Sequence, residues 1–291
     1  MERGGPSRRA GGRSARIAKR SAEIPLEARA VRPGMPGGAY QPLTQEQMIQ
    51  IFDAALTLLE DIGMGQATPE FIALVTSAGG TLDQDQRLHF PKAVVRAAIE
   101  TAAKEFTLHG FSSQHDALIG GQRVHFSTGG AAVLMLEHET STFRHSSLKD
   151  VYEIGRVINA LEHVHIYVRT VVARDMETSR ELDLNTAYAV MVSTDKPIGT
   201  SFFQPEHVHE VAQMFNVALT GDPDGDEFRK RPFCIANNTF VVPPLRFAED
   251  SALCIAEQVR VGMPINLLSA GQAGATSPAT LAGSLSQALA E

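Results

Sequence analysis

The stretch Ser269–Glu291, SAGQAGATSPATLAGSLSQALAE, has the pattern of a strand end, a glycine-rich turn and a helix. Ser277 is a good helix N-cap. Leu281, Leu285 and Leu289 then recur every four residues and predict an apolar helical stripe. No Gly, Asn or Pro follows to close the helix, so we expect the domain to be incomplete at this end.

Upstream of this stretch, helix-like and strand-like segments alternate with short connections. The predicted strands cover 164–172, 197–202, 233–240 and 264–270, and the predicted helices cover 147–161, 177–192, 205–219, 246–261 and the segment from Pro278. Alternation of this kind implies a parallel sheet, either closed as a barrel or open and doubly wound.

The ends of the predicted strands favour the barrel. They carry polar or glycine clusters at 127–130, 169–170, 202–204, 237–239 and 269–272, which are positions that line the mouth of a (β/α)8 barrel. No G-x-G-x-x-G follows an early strand, so the dinucleotide fingerprint of an open sheet is missing. Counting a strand near 123–127 as the first, we predict an α/β fold with about five units of an incomplete TIM (β/α)8-type barrel. An open sheet is the alternative.

The chain is predicted to have three parts. Residues 1–43 are rich in Arg, Gly and Pro and read as a disordered basic arm and linker. Residues 44–122 read as an N-terminal helical and strand extension, which begins at a capping box formed by Thr44 and Gln47. Residues 123–291 hold the partial barrel.

Charge and composition exclude several classes of protein. Residues 1–20 hold seven Lys or Arg against one Glu, so they carry +6, and the remainder of this chain of net charge −7 carries −13. So acidic a body argues against nucleic acid as a partner. No uncharged apolar run reaches the roughly 18 residues of a membrane helix, and the basic start lacks the apolar region of a secretory signal. Cys234 and Cys254 are expected to be buried thiols in a reducing cytoplasm.

Several motifs resemble the trimethylamine methyltransferase (MttB-like) family. They are Leu43–Gly63, Arg87–Pro91, Phe106–Gly110, Pro243–Leu245 and, most specifically, Gly271–Gly283. The resemblance extends from about residue 40 to the end of the chain.

The resemblance implies a TIM-barrel enzyme of methylamine metabolism. Such an enzyme moves a methyl group from trimethylamine, glycine betaine or a similar compound to the Co(I) corrinoid of a small partner protein, so the chain itself is expected to bind no cofactor. Members of the family are considerably longer, and the position of pyrrolysine, where present, lies beyond Glu291. The alternative is a catalytically inactive truncated homologue that serves in assembly or interaction, and a homo-oligomer is left open.

The predicted substrate site follows from the chemistry of a quaternary ammonium ion. Such an ion has no proton to donate, so apolar contact, aromatic faces and distant negative charge must hold it. A betaine carboxylate would need an arginine or backbone amides. The candidate substrate-binding residues at or near the strand ends are Arg169, Thr170, Phe202, Phe203, Gln204, Asn237, Asn238 and Phe240. The competing interpretations are core packing for the aromatic residues, an ion pair for Arg169 and turn formation for the asparagines.

A second group of candidates suits an anion or the corrinoid of the partner. These residues are Thr128, Gly129, Ser269, Gly271, Gln272 and Gly274, which lie before or at predicted helix starts. A tight turn between strand and helix is the alternative. The pairs His163/His165 and His207/His209 lack a third ligand at a matching spacing, so we predict no metal site. No catalytic residue can be assigned.

Overall fold

The computed structural model describes residues 17–18, 20–22, 24–29 and 31–291. The chain divides into two compact units, Met1–Arg32 and Pro33–Glu291. In the first unit the described residues include a short 3₁₀ helix at Leu26–Ala28. Of the predicted disordered arm and linker at 1–43, residues 1–16, 19, 23 and 30 lie outside the described residues. The predicted boundaries at 44 and 123 stay predictions.

The second unit contains both helices and strands. The helices are α1 (Gln45–Thr57), α2 (Pro69–Ser77), α3 (Lys92–Thr101), α4 (Leu148–Ala160), α5 (Ser179–Ser193), α6 (Pro205–Thr220), α7 (Glu227–Lys230), α8 (Glu249–Val261) and α9 (Leu281–Ala290). A π-helical turn, Leu58–Ile62, extends α1, and a 3₁₀ turn covers Ser113–His115. In the part of the chain with described coordinates, no helix is both long and apolar enough to span a bilayer.

The strands are short. They are β1 (Met35–Pro36), β2 (Met64–Gly65), β3 (Thr81–Leu82), β4 (Arg87–His89), β5 (Glu105–Leu108), β6 (Ala117–Gly120), β7 (Arg123–Val124), β8 (Leu134–Leu136), β9 (Phe143–His145), β10 (Tyr167–Val168), β11 (Ile198–Thr200), β12 (Cys234–Asn238), β13 (Val241–Val242), β14 (Arg246–Phe247) and β15 (Ile265–Leu267).

The predicted parallel sheet is present, but the strand predicted near 123–127 as its first was wrong, because Arg123–Val124 pairs antiparallel with β1 in a separate sheet. The strands of the parallel sheet, β10, β11, β12 and β15, lie side by side in chain order. Parallel bridges from Ser127 to Ile166 and from Ala132 to Val171 place the segment 127–132 against the outer edge of β10. Five parallel segments therefore follow one another, connected in turn by α4, α5, α6 and α8. The α/β class is confirmed. No closed barrel forms among the described residues, since β15 pairs only with β12.

Helices α4 to α8 pack on one face of this sheet around a core of apolar side chains. The ring centroids of Phe215, Phe228 and Phe233 lie 4.7–5.3 Å apart within it. The fully buried Tyr167 in β10 donates its hydroxyl proton to the Val151 carbonyl of α4 at 2.6 Å. This side of the sheet is therefore filled, and an open site must lie on the other face or at the strand ends.

A second sheet contains strands of the N-terminal part together with the hairpin β13–β14, which the sequence did not predict. Its strand order is β13-β14-β2-β4-β3, and Arg246 of β14 pairs in parallel with Gly65 of β2. The guanidinium of Arg87 donates to the carbonyls of Ile62 and Gly63, at 2.6 Å each. The prediction of a helix from 246 was wrong for its first three residues, because pairing with β2 holds Arg246 in a strand.

Helix starts are set mostly as the sequence predicts. Thr44 accepts and donates in a capping box with Gln47, and Ser147 does so with Asp150. Ser277, however, does not cap α9, because its amide and carbonyl are bonded within the preceding turn to Gln272 and Gly274.

Thr280 caps α9 instead, accepting from the Gly283 amide at 3.2 Å. The predicted stripe of Leu281, Leu285 and Leu289 lies on the outer face of the helix, where these side chains are 76%, 40% and 54% exposed.

Candidate functional site

A cavity of about 530 Å³ opens at the carboxyl ends of the parallel strands. Its lining residues come from the segment 127–131 and from the ends of β10, β11, β12 and β15: Ser127, Thr128, Gly129, Gly130, Ala131, Ile166, Val168, Arg169, Ser201, Ile235, Asn237, Thr239, Asn266 and Leu268. The volume suits one small organic ligand. We take this cavity as the candidate site.

Strand geometry explains which residues face the cavity. Side chains alternate between the two faces of a strand, and the lining residues recur with that spacing as Ile166/Val168, Ile235/Asn237 and Asn266/Leu268. The intervening Tyr167 and Ala236 are fully buried on the helix side. The cavity therefore lies on the sheet face opposite the helices, and its wall is largely aliphatic.

Among the described residues that line the cavity, Arg169 is the one that carries a charge. Its backbone amide donates to the Gly199 carbonyl at 2.9 Å, which fixes it beside β11. Across the described residues its guanidinium has neither a hydrogen bond nor an ion pair, so the predicted alternative of a structural ion pair is absent. Burial lowers the pKa of Arg169, and the negative charge of Asp183 opposes that effect. A half-buried guanidinium without a bonded partner retains its capacity to bind an anion.

Asn237 and Asn238 lie on opposite faces of β12, as the sequence predicts. Asn237 lines the cavity and accepts from Asn266 Nδ2 at 2.9 Å, while its own buried Nδ2 has no partner among the described atoms. Asn238 is buried on the helix side and donates to Gln258 Oε1 of α8 at 2.6 Å. Only Asn237 is therefore placed to contact a ligand in the cavity.

The predicted anion group splits in two. Thr128 and Gly129 line the cavity, and Thr128 Oγ1 donates to the Val168 carbonyl at 2.5 Å. The residues from 269 to 274 do not line it. Ser269 donates to the Glu291 carboxylate at 2.6 Å, and the Gln272 amide donates to Thr276 Oγ1 at 2.9 Å.

Two glycines show why that second part is compact. A Cβ at Gly271 would lie 2.1 Å from Ser277 Oγ, and Gly274 has a positive φ of 79°. These contacts have the character of a tight turn that packs against α9. An anion-binding role for the turn stays a prediction.

The predicted aromatic residues do not line the cavity. Phe202 is buried in the core beneath the helices. Phe203 is half exposed beyond the end of β11. Phe240 packs on Phe247 in the second hydrophobic cluster, with ring centroids 6.0 Å apart. The cavity therefore offers aliphatic surface where aromatic faces were expected.

The two remaining candidates also lie outside the lining. Thr170 follows Arg169, and its buried Oγ1 has no hydrogen-bond partner in the described part of the chain. Gln204 is exposed at the N-cap of α6 and makes no side-chain capping bond. Their substrate-binding roles stay predictions.

Sequence reasoning missed a buried acid–histidine pair beside the site. Asp183 of α5 and His207 of α6 are 2% and 7% exposed, and His207 Nδ1 donates to Asp183 Oδ2 at 2.7 Å. The Phe203 amide donates to the same oxygen at 2.8 Å. Burial raises the pKa of Asp183, and these hydrogen bonds counteract it. The sequence signalled only the H-x-H pair, because the partner of His207 lies 24 positions away.

Within the described ranges, no three His, Cys, Asp or Glu side chains are grouped so as to hold a metal ion. Cys234 and Cys254 are free and fully buried, as predicted.

Comparison with known proteins adds a family to this geometry. Residues 9–291 match the family model described as trimethylamine methyltransferase (MTTB). The chain is 27% identical over 243 residues to a trimethylamine methyltransferase MttB of Desulfitobacterium hafniense, covering 83% of this chain and 48% of that protein. It is 25% identical over 254 residues to MttB of Methanosarcina thermophila, covering 83% and 50%.

A glycine betaine methyltransferase of Desulfitobacterium hafniense is also similar. It is 23% identical over 252 residues, covering 87% of this chain and 51% of that protein. The chain thus spans about half the length of the curated relatives that it matches.

Proposed function

The chain belongs to the trimethylamine methyltransferase family, and we propose that its cavity binds the methyl donor of a methyltransferase reaction, with a betaine as the preferred class. The observation that carries this proposal is Arg169, which lines the cavity and whose guanidinium has no bonded partner among the described residues. Relatives include proteins named for trimethylamine and for glycine betaine, so both classes of donor occur in the family.

We also propose that the parallel sheet is part of a (β/α)8-type barrel. Five parallel segments in chain order, each connected by a helix on the same face, are the arrangement of consecutive barrel units. A doubly wound sheet reverses its strand order at a switch point, and the described strands show no reversal. In a barrel the cavity described above would face the interior, at the end where active sites are found.

The charge of Arg169 favours a betaine over a simple amine. The half-buried guanidinium would repel protonated trimethylamine, which has no acceptor for its hydrogen bonds. A betaine carries a carboxylate that can accept two parallel hydrogen bonds from a guanidinium. The free Nδ2 of Asn237 provides a further donor on the same wall.

The rest of the cavity suits the methylated end of the ligand. Ile166, Val168, Ile235 and Leu268 supply aliphatic surface without strongly hydrated groups. Methyl groups on a quaternary nitrogen are weakly hydrated, so their burial against aliphatic side chains costs little free energy. The walls also hold them in one orientation and exclude water. The chain's part in the reaction is therefore desolvation and orientation of the donor.

The methyl acceptor is proposed to be the corrinoid of a partner protein. The cavity has the size of one small ligand, so a corrinoid would have to stay with its carrier and meet the cavity at its mouth. When present, Co(I) supplies the nucleophile that the side chains of this cavity lack. Thr128 and Gly129 on the cavity rim are the residues we expect nearest to it.

Calorimetry with two ligands of similar size tests the proposal. Glycine betaine carries both a quaternary ammonium and a carboxylate, and choline carries only the former. We expect the chain to bind glycine betaine more tightly, and Arg169→Gln to lower that affinity by about 10- to 100-fold without weakening the binding of choline, which loses a repelling charge. The matched control is Arg180→Gln, since Arg180 is exposed and pairs with Glu210 outside the cavity.

Equal binding of both ligands by wild type and Arg169→Gln would overturn the betaine assignment. Absence of any binding would favour the alternative of an inactive homologue. Where binding is found, methyl transfer from glycine betaine to a Co(I) corrinoid, followed by its visible spectrum, tests the reaction itself.

A further inference from the structure

Asp183 is a buried carboxylate held rigidly behind the cavity wall. Its Oδ2 accepts from His207 Nδ1 at 2.7 Å and from the Phe203 amide at 2.8 Å, and the residue is 2% exposed. Two residues before Phe203, Ser201 lines the cavity. The carboxylate is therefore fixed to the connection that forms this part of the wall, without itself reaching the cavity.

The position of Asp183 gives it a defined electrostatic partner. Its charge acts on Arg169 and favours the positive form of that guanidinium, and the charge of Arg169 acts on Asp183 in return. The two groups do not form a hydrogen-bonded ion pair. Arg169 thus keeps its donors for a ligand while a negative charge lies nearby.

A quaternary ammonium group needs such a negative charge. Two positive charges in one desolvated cavity repel each other strongly, because the effective dielectric there is far below that of water. A guanidinium alone would recruit a carboxylate and repel the ammonium end of the same ligand. A fixed carboxylate behind the wall reduces the repulsion without competing for the hydrogen bonds.

We propose that Asp183 is a specificity-determining residue, whose buried carboxylate offsets the charge of Arg169 so that a quaternary ammonium can share the cavity with a guanidinium. This inference rests on the proposed binding of a betaine. In this scheme His207 is a positioning residue, since it acts only by holding Asp183.

The ratio of two affinities tests the inference. Asp183→Asn keeps a side-chain oxygen for the Phe203 amide and removes the charge. We expect the ratio of the choline Kd to the glycine betaine Kd to rise by about fivefold. Choline has no carboxylate to pair with Arg169, so the loss of the Asp183 charge weakens its binding more than that of glycine betaine. A general loosening of the wall would weaken both ligands alike and leave the ratio unchanged. A ratio that stays within about twofold of wild type overturns the inference.

A matched variant separates charge from packing. His207→Asn retains a neutral donor close to the position of Nδ1, so Asp183 stays charged and bonded. We expect it to lower thermal stability while the Kd ratio stays within about twofold of wild type. If Asp183→Asn does not fold, Asp183→Ser removes the same charge, and its ratio must rise in the same direction.

A second readout needs no ligand. Phenylglyoxal reacts with the neutral form of an arginine, so its rate at Arg169, followed by peptide mass spectrometry, reports the local charge. We expect a faster rate in Asp183→Asn and an unchanged rate in His207→Asn. If wild type binds neither ligand, the proposed function is overturned. The specificity role of Asp183 then falls with it, whereas the electrostatic effect of Asp183 on Arg169 is still supported by a faster rate and overturned by an equal one.

Discussion

Asn237 and Asn238 are neighbours in β12, and their side-chain amides lie on opposite faces of the sheet. The first accepts from Asn266 in the cavity, and the second donates to Gln258 of α8. One strand thus carries a ligand-facing polar group beside a buried structural one. Two substitutions of the same chemical type therefore have separable effects.

Asn238→Ala is expected to destabilise the fold, and Asn237→Ala to weaken ligand binding. Removing Asn238 leaves the fully buried Gln258 without its partner, which costs about 1–3 kcal/mol of unfolding free energy. Asn237 contacts the open cavity, so its loss costs stability little and lowers glycine betaine affinity by roughly three- to tenfold. Chemical denaturation and calorimetry on both variants measure the two effects, and a reversed pattern would contradict the assignment of faces.

Gly155→Ala is expected to disrupt the packing of α4 on α5. A Cβ at Gly155 would lie 1.9 Å from Ser193 Oγ and 2.8 Å from Tyr167 Cε1, and both neighbours are fully buried. The helices would have to separate, at a cost of about 1–3 kcal/mol in the free energy of unfolding.

Gly129→Ala is the matched control for this prediction. A Cβ there meets no atom of the described residues within 4 Å, so the thermal unfolding temperature should remain within about one degree of wild type. A Gly155→Ala variant as stable as the control would show that α4 and α5 lie further apart in solution.

His165 is expected to make the fold less stable in mild acid. It is 7% exposed, accepts from the Phe126 amide at 3.0 Å, and has a pKa that burial lowers to about 4. The unfolded chain, with a histidine pKa near 6.5, then binds more protons than the native one between these values. Stability contributed by neutral His165 is present above pH 6.5 and is lost as the pH falls towards 4, by roughly 1–3 kcal/mol.

Comparison with His165→Asn isolates this contribution, because an amide oxygen can replace Nδ1 as the acceptor without titrating. Urea unfolding at pH 7 and at pH 4.5 gives the difference for each protein. We expect the difference to be smaller in the variant, and an equal one would assign the acid sensitivity to other groups.

Local patterns predicted the parallel sheet well and predicted side-chain roles less well. The capping pairs Thr44/Gln47 and Ser147/Asp150 act within four residues, so the sequence alone identifies them. The strand order follows from the alternation of elements. The hairpin that contains Arg246 was missed because its partner, Gly65, is remote in the chain.

Contacts between residues that are remote in the chain also limit prediction of the site. Arg169 and Asn237 are cavity residues because they end parallel strands, and that rule is local. Phe202 and Phe240 also follow strands, yet hydrophobic clusters bury them away from the cavity. The pairing of Asp183 with His207 depends on how α5 packs on α6, which no local pattern contains.

The reactivity of the two thiols should distinguish a partial opening of the structure from global unfolding. Cys234 lies in the central strand β12 and Cys254 in α8, both fully buried, and burial raises the pKa of Cys254 to about 12. Neither should react with a disulfide reagent in the native state at pH 7. In mild denaturant Cys254 should react first, because a helix can detach in a partial opening whereas β12 is released only by global unfolding. The single variants Cys234→Ser and Cys254→Ser assign the two rates, and equal rates at every denaturant concentration would mean that α8 and the sheet open together.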